Sequence, residues 1–313
     1  MASVRSALLC ASACAALALG ACSGAGTTPS GVSPAPPTTN LSRHGWISPG
    51  AKKQKLLYVS DYTASLILIY FQGQTGLGPQ GEILSGISNP QGIAVDSTGT
   101  LYVANEGNST VTEYPAGSTN PSVTLSTGIS SPLDVAVDSD FTVYVSDLSA
   151  SQVLEFKQGS TSPDVTITSL HHPSQLTNAR NNELYVTYNL SGGKVARCKT
   201  LSTKCTDLGI SVGLAQGVAL DQMGNLLVGD VFGPDINIYA KGQNQPFRTI
   251  STPLEQPTSI ALTTKDADFY MADPANFAVE TYDYATGTQT GTFTFGSGNE
   301  LEGVALFPGQ RPG

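Results

Sequence analysis

The sequence is poor in charge. Of 313 residues only 12 % are Asp, Glu, Lys or Arg, and 24 acidic side chains outnumber 15 basic ones. No basic stripe exists to neutralise phosphates, which excludes duplex DNA or RNA as a partner. Helical periodicity is absent throughout, which excludes bundles and alternating helix–strand folds. Long apolar runs are missing too, since the one apolar stretch, Ala7 to Gly20, is too short to span a bilayer. Cysteine is scarce at five and histidine at three. What remains is abundant Gly, Ser and Thr with 40 % hydrophobic residues. That is enough apolar material to fill a core, so the chain reads as folded with a neutral, hydroxyl-rich surface.

One pattern organises the chain. Its clearest copy is PQGIAVDSTGTLYVAN at 90–105, and it returns as PLDVAVDSDFTVYVSD (132–147), PSQLTNARNNELYVTY (173–188), AQGVALDQMGNLLVGD (215–230) and PTSIALTTKDADFYMAD (257–273). A truncated copy, LEGVALFP, fills 301–308. The starts at 90, 132, 173, 215, 257 and 301 are 42, 41, 42, 42 and 44 residues apart. A fixed period of this size is the mark of repeat architecture.

Each copy reads as two β-favouring runs around a turn, such as Ile93-Ala94-Val95, then Asp96-Ser97-Thr98-Gly99, then Leu101-Tyr102-Val103. Two further short strands complete each unit, here TVTEY and SVTLSTG. Four strands in about 42 residues predict a propeller blade. The first unit (LLYVSDY, SLILIYF, GEILSGIS) lacks its opening strand, and the chain's end supplies a spare one at Glu302–Leu306. The expected fold is therefore an all-β, six-bladed propeller of four-stranded blades over 55–308, with strand 301–308 joining blade one to close the ring. Branched residues at the fourth and sixth positions of each unit (Ile93/Val95, Val135/Val137, Val218/Leu220, Ile260/Leu262, Val304/Leu306) flank an Ala, so neighbouring sheets can nest large against small. Blade four departs, with Leu176-Thr177-Asn178.

Ahead of the repeats, Arg5 and the apolar stretch ending in Leu19-Gly20-Ala21-Cys22 read as a leader over 1–21. The last four residues resemble a bacterial lipobox. That resemblance implies lipidation of Cys22, attachment to a membrane through the acyl chains and, with Ser23 next, sorting to the outer membrane or cell surface. Residues 22–54 are rich in Pro, Gly, Ser and Thr and read as a tether; 309–313 form a tail. Trp46, the only Trp, is expected where tether meets domain. Cys10 and Cys14 leave with the leader, which leaves Cys198 and Cys205 as an even pair in an oxidising compartment. They end one predicted strand and begin the next, and no His lies near them in sequence for zinc, so a disulfide is expected.

Pro-x-Gly-Ile-Ala-Val-Asp followed by Gly-x-Leu-Tyr-Val-Ala-Asn resembles the NHL repeat of six-bladed propellers. The resemblance implies that fold, but its members include binding scaffolds, and related six-bladed families include gluconolactonase-like and streptogramin lyase-like enzymes. The residues that open each innermost strand, Gln91-Gly92, Leu133-Asp134, Ser174-Gln175, Gln216-Gly217, Thr258-Ser259 and Glu302-Gly303, are expected around the channel mouth. Gln91, Asp134, Gln175, Gln216 and Glu302 form the candidate ligand face. The favoured reading is a monomeric, non-catalytic module with no cofactor that binds a protein, peptide or glycan. The alternative is a periplasmic hydrolase or lyase. Resemblance to the lactonases would give it one divalent cation such as Ca²⁺ or Mg²⁺ on the axis, with Glu302 and Asp134 as ligands. Resemblance to the lyases would make His172, beside His171, a base, although their Trp-Phe-Thr-Glu strand is absent. Asp61, Asn105, Asp147, Asp230 and Asp273 end the second strand of five blades and are expected to accept N–H groups of the following turn. Gly209–Gly213 fits a nucleophile elbow and Gly76–Gly81 a dinucleotide fingerprint, but neither meets a helix, so both are read as turns.

Overall fold

The structure is a computed structural model that describes residues 45–51, 54–179, 183–233, 235–251 and 256–309. The leader, Cys22 and the tether up to residue 44 lie outside the described residues.

The turn of the repeat is built by its Asp. Asp96 Oδ1 accepts the N–H groups of Thr98 at 2.8 Å and Thr100 at 3.0 Å, and Gly99 supplies the left-handed residue at φ 90°. The same side chain acts in the same way at Asp138 and Asp221. Each such turn joins an innermost strand to the second strand of an antiparallel, four-stranded blade. The innermost strands are Pro90–Val95, Pro132–Val137, Pro173–Ala179, Ala215–Leu220 and Ser259–Leu262 in blades two to six. Blade one takes Leu301–Phe307 from the chain's end, paired antiparallel with Leu56–Asp61. The six-bladed ring and its C-terminal closure are as expected.

Blade one carries one strand more than the repeat foretells. Trp46–Ile47 pairs with Gly81–Ile83, with Trp46 opposite Glu82, as a fifth, outermost strand. The tether, expected to run to residue 54, thus gives up two residues to the sheet; a strand that short shows no alternation for a sequence to reveal.

Among the described residues the core divides into six apolar clusters, one at each interface between blades. Ile93 packs towards blade one and Ala94 towards blade three, and Val135 with Ala136 repeats the arrangement one blade on. Branched residues face the preceding blade and Ala the following one, the nesting that sheet-on-sheet packing demands. Blade four departs less than expected. Leu176 keeps the rule, and Asn178 replaces apolar packing with a 2.8 Å donation from Nδ2 to Val137 O in blade three.

Cys198 and Cys205 face each other in adjacent strands (Gly193–Lys199 and Cys205–Val212) and are joined as a disulfide, with Cα atoms 4.1 Å apart. Of the two glycine-rich matches, Gly76–Gly81 runs through the turn before the fourth strand of blade one, and Gly81 opens that strand. Gly209–Gly213 was expected between strands, but its first four residues lie within the outermost strand of blade four.

Candidate functional site

Antiparallel blades put the loops from fourth to first strand and from second to third strand on one face, the upper one. The residues opening the innermost strands sit there because hydroxyl latches hold their backbones. Ser60 Oγ donates to Gln91 O at 2.6 Å and Ser146 Oγ to Ser174 O at 2.5 Å. Thr187 Oγ1 donates to Gln216 O at 3.0 Å and Thr258 Oγ1 to Glu302 O at 3.3 Å. Each runs from one blade to the next. Ser60, Ser146 and Thr187 also accept the N–H of Gly303, Asp134 and Gln175 in their own blades. The latch residues went unremarked in the sequence, although their signal is plain. The position before the strand-ending residue reads Ser60, Ala104, Ser146, Thr187, Gly229, Ala272, and a buried hydroxyl among Ala and Gly needs a partner.

The five candidate ligand-face residues separate into two groups. Asp134 and Gln175 line the channel itself, with Asn178, Ser259 and the apolar inner-strand side chains, around a cavity of about 150 Å³. That volume suits a few waters and falls below the 300 Å³ or so of an ordinary ligand pocket. Asp134 is buried. Its Oδ2 accepts the N–H of Leu176 in blade four at 2.7 Å, and Oδ1 lies where a Cβ of Gly92 in blade two would stand. Only glycine fits at 92, because an added Cβ would meet Asp134 Cα at 2.8 Å. Asp134 therefore joins three blades. Burial pushes its carboxyl up to about 8, against the N–H groups of Leu176 and Val135 that favour the anion.

Gln91, Gln216 and Glu302 do not line that cavity and stand half-buried at the mouth. Gln91 Nε2 donates to Glu106 Oε2 at 3.0 Å, and Ser131 Oγ to Glu106 Oε1 at 3.1 Å. Burial, then the charges of Glu300 and Glu106, push Glu302 up to about 8. The mouth over blades one and two is thus carboxyl-rich.

The structure does not gather the alternative catalytic and metal residues at one point. His172 enters blade four, opposite blade one of Glu302 in a ring of six, with φ 46° and its N–H on Ser151 Oγ at 3.4 Å. Among the described residues no three His, Cys, Asp or Glu side chains converge as a metal site.

The strand-ending residues reach backwards as well as into the following turn. Asp147 accepts the N–H groups of Ser130 and Ser131 at 2.7 and 3.0 Å, and Asp230 those of Gly213 and Leu214, both at 3.0 Å. Asn105 holds Ser88 and Asp273 holds Gln256 in the same way. In the following turn, as expected, Asp61 accepts from Ala64 at 2.8 Å, Asp230 from Phe232 at 3.1 Å and Asp147 from Ala150 at 3.3 Å. The backward bonds fix the loop into the innermost strand of the same blade, because that loop lies beside the strand end on the upper face.

Comparison with known proteins agrees with this geometry. The NHL repeat family matches residues 88–114, which is blade two from its opening loop through its third strand. No curated protein matches the sequence. The fold is similar to a chain in the crystal structure of a nidogen/laminin complex. TM-score is 0.67 at 17 % identity, over 80 % of this chain and 98 % of that one. The chain therefore carries an NHL repeat within a six-bladed propeller.

Proposed function

We propose that this protein is a lipid-anchored, extracytoplasmic binding module whose upper face takes a protein partner without transforming it. One observation carries the reading. Leu190 is 46 % exposed and Phe232 73 % exposed, in the second-to-third-strand loops of adjoining blades four and five. Exposed large apolar side chains on loops of adjoining blades are what a partner buries. They share the upper face with Glu106, Glu300 and Glu302, so the fitting partner offers apolar side chains with basic groups beside them. The propeller of similar fold comes from a two-protein complex, which illustrates one use of the scaffold. Lipid at Cys22 and the tether would hold the upper or lower face clear of a membrane.

Crosslinking in intact envelopes tests the reading. The wild-type chain is expected to capture a defined protein that a Leu190→Asp/Phe232→Asp variant loses at unchanged melting temperature, and Cys22→Ala is expected to release the protein from the membrane fraction. Turnover of a lactone that disappears with Glu302→Gln, together with no captured protein, would overturn it in favour of the enzyme.

A further inference from the structure

A cleft lies away from the channel, on the lower face between blades two and three. It holds about 360 Å³, within the range of small-ligand pockets. Its walls come from the first-to-second and third-to-fourth strand connections of both blades.

Its chemistry is unusual for a gap between blades. Thr98, Thr100, Ser122, Ser160 and Thr161 bring hydroxyls, and Thr98 Oγ1 and Thr100 Oγ1 stand 3.1 Å apart. Tyr102 OH donates to Asp96 Oδ2 at 3.2 Å, so that acid is internally satisfied. Glu113 also lines the cleft, and its carboxylate has no hydrogen-bond or ion-pair partner among the described residues; burial, then Asp96, holds it above the usual carboxylate range. The one cation in the wall, Lys157, pairs with Asp164 at 3.8 Å.

The cleft also contains a strained aromatic residue. Phe141 takes φ 60° at the turn position where blades two and five have Gly99 (φ 90°) and Gly224 (φ 81°). A left-handed backbone is unfavourable for a bulky residue. Phe141 returns little for that within the fold. It is absent from the six apolar clusters and stacks on no described ring. The corresponding cleft between blades four and five, with Gly224 in its wall, holds only about 200 Å³.

We propose that this cleft binds a neutral saccharide, with the Phe141 ring against the C–H face of a pyranose and Glu113 with the wall hydroxyls bonded to its hydroxyl edge. An aromatic plate beside several hydroxyls and one acceptor-only carboxylate matches the two-sided surface of a sugar. The unpaired carboxylate disfavours anions. The inference goes beyond the upper-face reading and stands apart from it, since changes at Leu190 and Phe232 leave this cleft intact.

Saturation-transfer NMR on the purified protein tests it. The probes are methyl β-D-glucopyranoside, N-acetylglucosamine, cellotetraose and chitotetraose, with choline as a control. At least one sugar is expected to saturate through its ring C–H protons. Phe141→Gly is expected to weaken it at least tenfold while leaving the melting temperature equal or higher, because glycine relieves the turn. Glu113→Gln is expected to weaken it severalfold with the fold intact. Overturning results are no sugar saturated, choline bound in place of sugars, or Phe141→Gly lowering the melting temperature with sugar binding unchanged.

Discussion

Asp134 shows how much one side chain can decide in a ring. Its carboxyl carries a proton up to about pH 8 in the folded protein, whereas an unfolded Asp loses it near 3.9. Between those values the folded state binds more protons than the unfolded state. Stability is therefore full below about pH 4 and falls as pH rises through 8, by up to about 1.4 kcal/mol per unit. Glu302, raised to about 8, acts in the same direction. Melting temperature is thus expected to fall between pH 5 and 9. Asp134→Asn keeps an oxygen for Leu176 N–H and adds no charge, so it should flatten that fall and melt above wild type at pH 9. A shift of equal size at every pH would refute the assignment. Asp134→Ala, which leaves that buried N–H without its acceptor, should cost about 1–3 kcal/mol near pH 4, where the wild-type carboxyl is neutral, and less as pH rises. Asp134 was legible as a channel residue, but its role was not. Side chains alternate along a strand, so the third residue of the unit points between blades while the second (Gln91, Gln216, Glu302) faces the mouth. Grouping both positions together hid the distinction.

At the scale of the element, blade four is where sequence and structure inform each other most. Two cysteines seven residues apart, one at each end of a predicted hairpin turn, announced the disulfide. Nothing local announced the clamp upon it. Glu155, in the third strand of blade three, accepts the N–H of Leu201 inside the disulfide turn at 2.7 Å, across 46 residues. Such a contact exists only once blades stand side by side. Closing so short a loop stabilises by about 2–3 kcal/mol in the chain-entropy picture. Cys198→Ala/Cys205→Ala should lose about that much in urea, or less where the Glu155 contact keeps the turn ordered. Adding Glu155→Gln to it should then cost more than Glu155→Gln costs alone, the sign of coupled neighbours. If the two changes simply add, turn and clamp are independent. The outermost Trp46–Ile47 strand was illegible for a different reason: two residues carry no period.

The whole molecule depends on where its two ends meet. In an open solenoid a lost terminal strand trims one unit, whereas in a closed ring it opens an interface on either side. The innermost strand Leu301–Phe307 lies between two of the six clusters, with Leu301, Val304 and Leu306 packed against blade six and Ala305 against blade two. It also completes the latches, since Gly303 N–H meets Ser60 Oγ at 2.7 Å and Glu302 O receives Thr258. Ending the chain at Glu300 should therefore abolish cooperative unfolding rather than lower its midpoint, and leave Leu57 and Val59 on an unpaired, aggregation-prone edge. Circular dichroism through a urea titration reads this directly. A chain ended at Glu300 that still unfolds in one sharp transition would mean that the blades carry their own stability. Adding a synthetic 301–309 peptide sharpens the test: if closure is the missing element, the peptide should restore the transition in proportion to its concentration, and a scrambled peptide of the same composition should not.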